Sequence, residues 1–258
     1  MMKHKCYDLN VDARGFEGKI ELAGRLEWDG ICLVKDFDSG FKSFSEEIAG
    51  VKKKSVIDIL LGARISTKIP GEIQKKSRAA LEYADLILAD GGDEDVNRVA
   101  SECWEVDVLC HPEKGVQKDY TSQRSSGLNH VSARFMAERY IALELNFSEI
   151  LCTYGVVRSQ VMGRMRQNVM LARKYGVPLI ISSGAVGKSA LRSPRELMAV
   201  GLTLGMDAGF VKRVMEYPLE VIKKSRDRKN PDVLMKGLEV VDWGDSKPKE
   251  KKKMYGWY

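Results

Sequence analysis

The segment VPLIISSGAVGKSALRSPREL, from Val177 to Leu197, joins an apolar run to a capped helix through a cationic loop, and its reading sets the fold. Val177 to Ile181 is short, apolar and rich in β-branched residues, the pattern of a parallel strand buried on both faces. Ser182, Ser183 and Gly184 end it. Further on, Ser193, Pro194 and Glu196 predict a capping box. The Ser193 hydroxyl accepts from the third helical N–H, Glu196 reaches back, and proline sits where no N–H is needed. Between strand and helix lie Lys188 and Arg192, with Arg195 in the first helical turn. Cations there oppose the positive end of the helix dipole unless an anion binds. Two readings stay open for this loop, an anion site and a solvated connection.

Strand, loop and helix make one βα unit, and the chain repeats it. Apolar runs predict strands at Cys6 to Asn10, Gly30 to Lys35, Val56 to Ile65, Asp85 to Asp90, Val106 to Leu109, Tyr140 to Leu145 and Val177 to Ser182. Helices are predicted at Gly71 to Tyr83, Leu128 to Arg139, Arg158 to Tyr175, Pro194 to Leu204 and Ala208 to Met215. About seven parallel strands with surrounding helices give an α/β, TIM-like βα barrel. A doubly wound sheet would carry a glycine-rich fingerprint after its first strand, and Leu9-Asn10-Val11-Asp12 has none. By helical spacing Leu128, Val131 and Phe135 are expected to face the core, with His130 and Arg134 together outside. Val161, Met165, Val169 and Ala172 form the expected buried stripe of the next helix.

Apolar periodicity fades after Ile222, and Lys223 to Lys229 reads as a basic run. The barrel is therefore assigned to residues 1–229. Residues 230–258 read as a basic, aromatic-containing tail, expected to be partly disordered. Its end holds five lysines between Asp245 and Lys253, followed by Met254, Tyr255, Trp257 and Tyr258. That composition suits contact with RNA by charge and stacking, or a frayed solubilising end.

At 258 residues, 44% hydrophobic and 30% charged, the chain can bury a substantial core. Lys plus Arg number 42 against 36 Asp plus Glu, a net charge of +6 that leans toward polyanionic partners. Cys6, Cys32, Cys103, Cys110 and Cys152 are odd in number and contain no CxxC pair, so neither a disulfide frame nor a zinc ribbon is expected. The amino terminus lacks the apolar core of a signal peptide and no stretch is long enough to span a bilayer. A soluble, cytoplasmic protein with no membrane partner is expected.

In a βα barrel, function belongs to the loops after the strands. Those positions hold Asp8 and Asn10, Arg64 and Lys68, Asp90 to Asp93, Cys110, His111 and Lys114, Glu144 and Asn146, and Ser182 and Ser183. A two-metal phosphoesterase needs more histidines than His4, His111 and His130. One Mg²⁺ or Mn²⁺ on Asp8, Asp90, His111 and Glu144 stays open. Each acid alone also reads as a hydrogen-bonded strand-end residue. No GxSxG elbow, P-loop or GxGxxG is present. The residues that recur at loops and helix starts are cations: Arg64, Lys68, Arg124, Arg134, Arg158, Arg166, Lys188, Arg192 and Arg195. Cations spread over distant loops suit a phosphate backbone better than a single solvated face does.

Three ordered motifs, Ser126-Gly-Leu-Asn-His130 with Ala133-Arg134, Ala142-Leu-Glu-Leu-Asn146, and Leu179 to Ala185 with Leu191 to Leu197, resemble the ribonuclease P protein component 3 family. This is the p30-type subunit of archaea and eukaryotes. Gly205-Met-Asp207 and Tyr217 to Ile222 are similar to it as well, so the likeness runs from about Cys6 to Ile222. The resemblance implies a barrel related to the polymerase-and-histidinol-phosphatase (PHP) hydrolases that serves an RNA enzyme removing 5′ leaders from precursor tRNA. It implies no catalytic residue in this chain. Where those hydrolases carry a His-x-His metal pair, this chain reads Asp8-Leu-Asn10. The implied RNA contacts are Arg124, His130, Arg134, Lys188 and Arg192, with Arg158 and Arg173 added. Asp8, His111 and Glu144 would be the remnant of a metal site. The subunit would hold no cofactor, the holoenzyme's RNA would require Mg²⁺, and ribonuclease P would be the endoribonuclease. Implied partners are the ribonuclease P RNA, a small RRM-like ribonuclease P protein component 2, other ribonuclease P proteins and precursor tRNA. The alternatives are a metal-dependent PHP-type phosphoesterase and a scaffold acting mainly through a protein partner.

Overall fold

The computed structural model describes residues 5–114, 118–119, 121 and 124–244. Its main sheet has seven strands: β1 (Tyr7–Asp12), β2 (Gly30–Asp36), β3 (Asp58–Ile65), β4 (Leu86–Asp90), β5 (Val108–Cys110), β6 (Ala142–Asn146) and β7 (Leu179–Ser182). They pair in chain order, every neighbour parallel. The first and last strands meet where the Asp12 amide donates to the Ala185 carbonyl at 3.0 Å, which nearly closes a barrel. The strand ends shift by a few residues from the expected ones. Val56, for example, is fully exposed ahead of β3.

Helices α1 (Phe16–Arg25), α2 (Phe41–Lys52), α3 (Pro70–Ala80), α4 (Glu94–Glu102), α5 (His130–Arg139), α6 (Phe147–Leu151), α7 (Gly155–Tyr175), α8 (Pro194–Thr203) and α9 (Ala208–Lys229) surround the strands. The strand side chains divide by parity. Leu33, Leu61, Ile87, Leu109, Leu143 and Ile181 point out into the helix layer. Cys32, Leu60, Leu88, Val108, Ala142 and Ile180 fill the barrel. A Cβ on Gly62 would lie 2.8 Å from both Cys32 Sγ and Leu88 Cδ1, so the interior at that level admits only glycine.

Helix α9 departs most from the sequence reading. It does not end near Met215 or turn into a solvated basic run; it continues to Lys229. Val221 and Ile222 join the barrel's inner cluster. Arg228 then grips Asp107, at the entry to β5, with its two terminal nitrogens at 3.0 and 2.9 Å. Lys224 lies 3.8 Å from the same carboxylate and donates to the Tyr140 carbonyl at 3.0 Å. The helix thus stoppers the amino-terminal end of the barrel, and two of its cations are buried because their partner waits inside.

One smaller expectation also changes. Val131 is 46% exposed rather than core, because α5 turns Ala133 and Met136 inward instead. His130 and Arg134 do share the outer side. The tail opens with a short antiparallel hairpin, β8 (Val233–Met235) and β9 (Leu238–Glu239), so its start is ordered. Residues 245–258, with their lysines and aromatics, lie outside the described residues, as does His4.

Candidate functional site

The carboxyl ends of the strands converge on a buried polar network. Asn10, at the end of β1, receives an Arg64 Nη2 hydrogen bond on its Oδ1 at 2.9 Å and donates through Nδ2 to Glu144 Oε1 at 2.8 Å. The same Glu144 oxygen accepts from Asn146 Nδ2 at 3.3 Å and from the Ser182 hydroxyl. Asp8 receives the Ser183 amide on both carboxylate oxygens, at 3.3 and 3.2 Å, and the Asn10 amide at 3.2 Å. These contacts follow from parity: Arg64, Glu144, Asn146 and Ser182 sit on the inward-facing positions of β3, β6 and β7.

His111 enters the network through a backbone at φ +34°, a left-handed conformation unusual for a side-chain-bearing residue. That turn brings its Nε2 3.1 Å from Asp90 Oδ1 and its Nδ1 3.9 Å from Glu144 Oε2 and 3.7 Å from Glu149 Oε1. Burial disfavours the charged ring, but the Asp90 hydrogen bond and the Glu144 and Asp90 charges outweigh it, so the imidazole titrates above its ordinary value. Asp90 is held below its usual range because the His111 hydrogen bond and charge overcome burial. Burial pushes Asp8 up to about 7 despite its hydrogen bonds, and raises the wholly buried Glu113 to about 7.

A divalent ion needs several acceptor atoms left open toward one point. Asp8 spends its oxygens on backbone amides, Glu144 Oε1 is shared by three donors, and the Arg64 guanidinium occupies the ring of strand ends. Among the described residues no three His, Cys, Asp or Glu side chains are placed to hold a metal. Of the set Asp8, His111 and Glu144, Asp8 and Glu144 Oε1 are taken up by protein donors, while Glu144 Oε2 and His111 Nδ1 lie 3.9 Å apart with no hydrogen-bond partner among the described residues.

The cations outside this network fall into separate groups. Arg124 and His130 line one cleft with the Ser125–Asn129 loop and α7. Arg158 and Arg192 flank the short α6. Arg192 packs over the Phe147 ring at 5.5 Å and donates to the Ser189 and Leu191 carbonyls, while Arg158 lies over Tyr154 at 5.0 Å and donates to the Thr153 carbonyl. Lys188 is exposed on the β7–α8 loop, its stem lying over Gly18. Arg134, over Tyr175, and Arg173, paired with Asp207 at 3.0 Å, lie on the outer wall; at about 1.5 Å per residue Arg173 is about 22 Å along α7 from Arg158. The capping box of α8 forms as expected, Ser193 and Glu196 exchanging hydrogen bonds.

Sequence reasoning missed Glu113 and Glu149 at the mouth, and Asn97 and Asn168 beneath the cleft. Buried Asn97 takes the Gly92 amide on its Oδ1 at 3.0 Å and donates to the Pro112 and Gly127 carbonyls, both at 2.9 Å. Asn168 donates to the Ser126 carbonyl at 3.2 Å and to Glu113 at 3.4 Å. Both sit inside helices where spacing marks only a buried position, and nothing in the sequence shows that distant loops will hang from them.

The fold and its mouth define a TIM-like α/β barrel whose strand ends meet in a buried polar network. The model of RNase P subunit p30 matches residues 5–230, and the chain belongs to that family. It is similar to ribonuclease P protein component 3 of Methanococcus maripaludis, 30% identical with 88% of this chain and 94% of that protein covered. Its likeness to the same component of Methanosarcina barkeri is also 30% identity, covering 95% of this chain and 99% of that one. Among solved structures it resembles a chain in a cryo-EM structure of archaeal ribonuclease P with mature tRNA, with a TM-score of 0.78, 28% identity, and 92% and 98% of the two chains covered. The chain is accordingly a ribonuclease P protein subunit, and the phosphoesterase alternative is set aside.

Proposed function

We propose that this subunit binds the RNA of ribonuclease P and promotes removal of 5′ leaders from precursor tRNA without supplying a catalytic group. The mouth carries this reading: Asp8 and Glu144 Oε1 are taken up by protein donors and Arg64 is tied in through Asn10, while the cations Arg124, Lys188, Arg192 and Arg158, with His130, stand outside that network. Arg134 and Arg173 would extend the contact along the outer wall. The related chain seen with mature tRNA supports an RNA-containing assembly as the setting. The Mg²⁺ requirement would reside in the RNA, and the subunit would bind no cofactor. A small RRM-like ribonuclease P protein would be its direct protein partner, beside other ribonuclease P proteins. The described residues contain no helix long and apolar enough to cross a membrane, which agrees with a cytoplasmic site of action.

Pre-tRNA cleavage by the reconstituted particle tests this. Lys188→Ala and Arg192→Ala should each raise the Mg²⁺ concentration needed for half-maximal rate. Each should also reduce the salt slope of RNA binding by about one per lost phosphate contact. Unchanged slope, rate and Mg²⁺ requirement in both variants would overturn the assignment.

A further inference from the structure

We propose that the cleft between the Ser125–His130 loop, the Gly92–Glu94 loop and α7 takes up one unpaired nucleobase; the proposal rests on the RNA-binding reading above. The cleft encloses about 520 Å³, within the roughly 300–1,000 Å³ of small-molecule sites. Leu128 and Leu171 give it apolar wall, and Asn129, Ser132 and Gln167 give it amides and a hydroxyl. Base recognition needs that mixture, since an extruded base presents a flat apolar face and an edge of alternating donors and acceptors.

Charge separates a base from a phosphate here. Asp93 and Glu94 are among its lining residues, where a phosphate would be repelled but exocyclic amino groups would find the Glu94 carboxylate as an acceptor, Asp93 Oδ1 being taken by the Asp95 and Val96 amides. Arg124 lines the cleft as well and, being exposed, offers a charge to the backbone of an entering nucleotide. Asn129 spends its Oδ1 on the Val131 and Ser132 amides at 3.0 and 2.9 Å, which leaves its Nδ2 as a donor. The Gln167 amide makes no hydrogen bond among the described residues.

The cleft is also built in advance. Asn97 ties its two loops to Pro112, as described above. Gly127 sits at φ +73°, and a Cβ there would lie 1.8 Å from the Pro112 carbonyl oxygen, so only glycine lets the loop seat this deeply. Asp119 receives Arg124 Nη1 at 2.6 Å, the Ser125 amide at 3.0 Å and Arg164 Nε at 2.9 Å, anchoring the loop's start to α7. A preformed cleft saves the ordering cost that a floppy loop would impose on binding.

Salt-dependent titration of the full chain against ribonuclease P RNA tests this, with dimethyl sulfate and carbodiimide probing of base edges. Gln167→Phe fills the cleft. It should weaken binding about tenfold, the scale of one lost base contact, leave the salt slope unchanged, and restore reactivity at one nucleotide the wild type protects. Lys188→Ala, exposed and outside the cleft, should instead reduce the slope by about one and keep that nucleotide protected. Gln167→Ala, which trims the same side chain without adding volume, should give about a threefold loss and serves if the larger residue disturbs folding. Wild-type affinity and protection in both Gln167 variants would overturn the base site while leaving RNA binding intact. A reduced slope in Gln167→Phe would assign the cleft to phosphate, and loss of protein-subunit binding with base protection retained would assign it to a protein partner; either overturns the proposal. A wild-type chain with no salt-dependent RNA affinity would remove the RNA-binding reading itself.

Discussion

The two ends of the barrel are both charged and both buried, yet they are finished in opposite ways. At the base, Asp107 meets a guanidinium in two-point geometry with Lys224 beside it, all delivered by one helix. At the mouth, Glu144 Oε2, His111 Nδ1 and Glu113 Oε1 are buried without a hydrogen-bond partner among the described residues, and the network is drawn from six separate strands and their loops. The base is a closure and the mouth is a compromise. The base ion pair, met at both terminal nitrogens though Arg228 Nε is buried without a hydrogen-bond partner among the described residues, holds elements together, whereas the mouth's less completely satisfied network spends stability.

The sharpest way to break this contrast is at the base. Arg228→Met leaves Asp107 buried without its main partner and should cost about 3–5 kcal/mol in urea unfolding; a loss under 1 kcal/mol would mean α9 is no structural stopper. Next, Gly127→Ala meets the Pro112 carbonyl and a left-handed backbone together. It should cost about 2–3 kcal/mol and open the loop near the mouth, seen as faster amide exchange from Ser125 to His130.

A smaller effect separates the ends by pH. Asp8 and Glu113, raised by burial from 3.8 and 4.5 to about 7, hold protons in the folded state that the unfolded chain has released. The stability they contribute is full at acid pH and is lost as pH climbs from about 4 to about 7. Lys224 is lowered by burial from 10.5 to about 8, so the unfolded chain binds more protons between those values and stability recovers as pH rises through that window. Asp8→Asn keeps an oxygen for the Ser183 and Asn10 amides and should flatten the acid limb of the melting-temperature curve, while Lys224→Met should flatten the alkaline limb. If one substitution flattened both, the ends would not be independent. Last, Ser193→Ala removes the α8 cap beside the mouth and should cost about 1 kcal/mol by thermal unfolding.

The sequence made most of the barrel legible because both faces of the strands are buried, so β2 to β5 and β7 centre on apolar runs, while β1, YDLNVD, and β6, ALELN, interleave buried polar residues with apolar ones. Helices α1 and α2 were invisible for a local reason: each starts at a glycine whose end carries no side-chain cap. Helix α4 did carry a signal, Asp93 followed by Glu94 and Asp95, that went unread. The far half of α9 failed for a non-local one, since Lys224 and Arg228 look solvated until Asp107 is placed beneath them. Strand-end positions brought Asp8, Asn10, Arg64, Asp90, His111, Glu144 and Ser182 together as expected. Which of their atoms pair with one another and which are left without a partner depends on rotamers and distances that spacing does not encode.

The stopper at the base also bears on how the protein is made. Asp107 and Arg228 are 121 residues apart, and a chain grows from its amino terminus. Every strand of the sheet is therefore translated before the residue that neutralises Asp107 has emerged. The base of the barrel can therefore close only after α9 has been made. A ribosome stalled between Ser182 and Lys224 would hold a complete set of strands and an unfinished molecule.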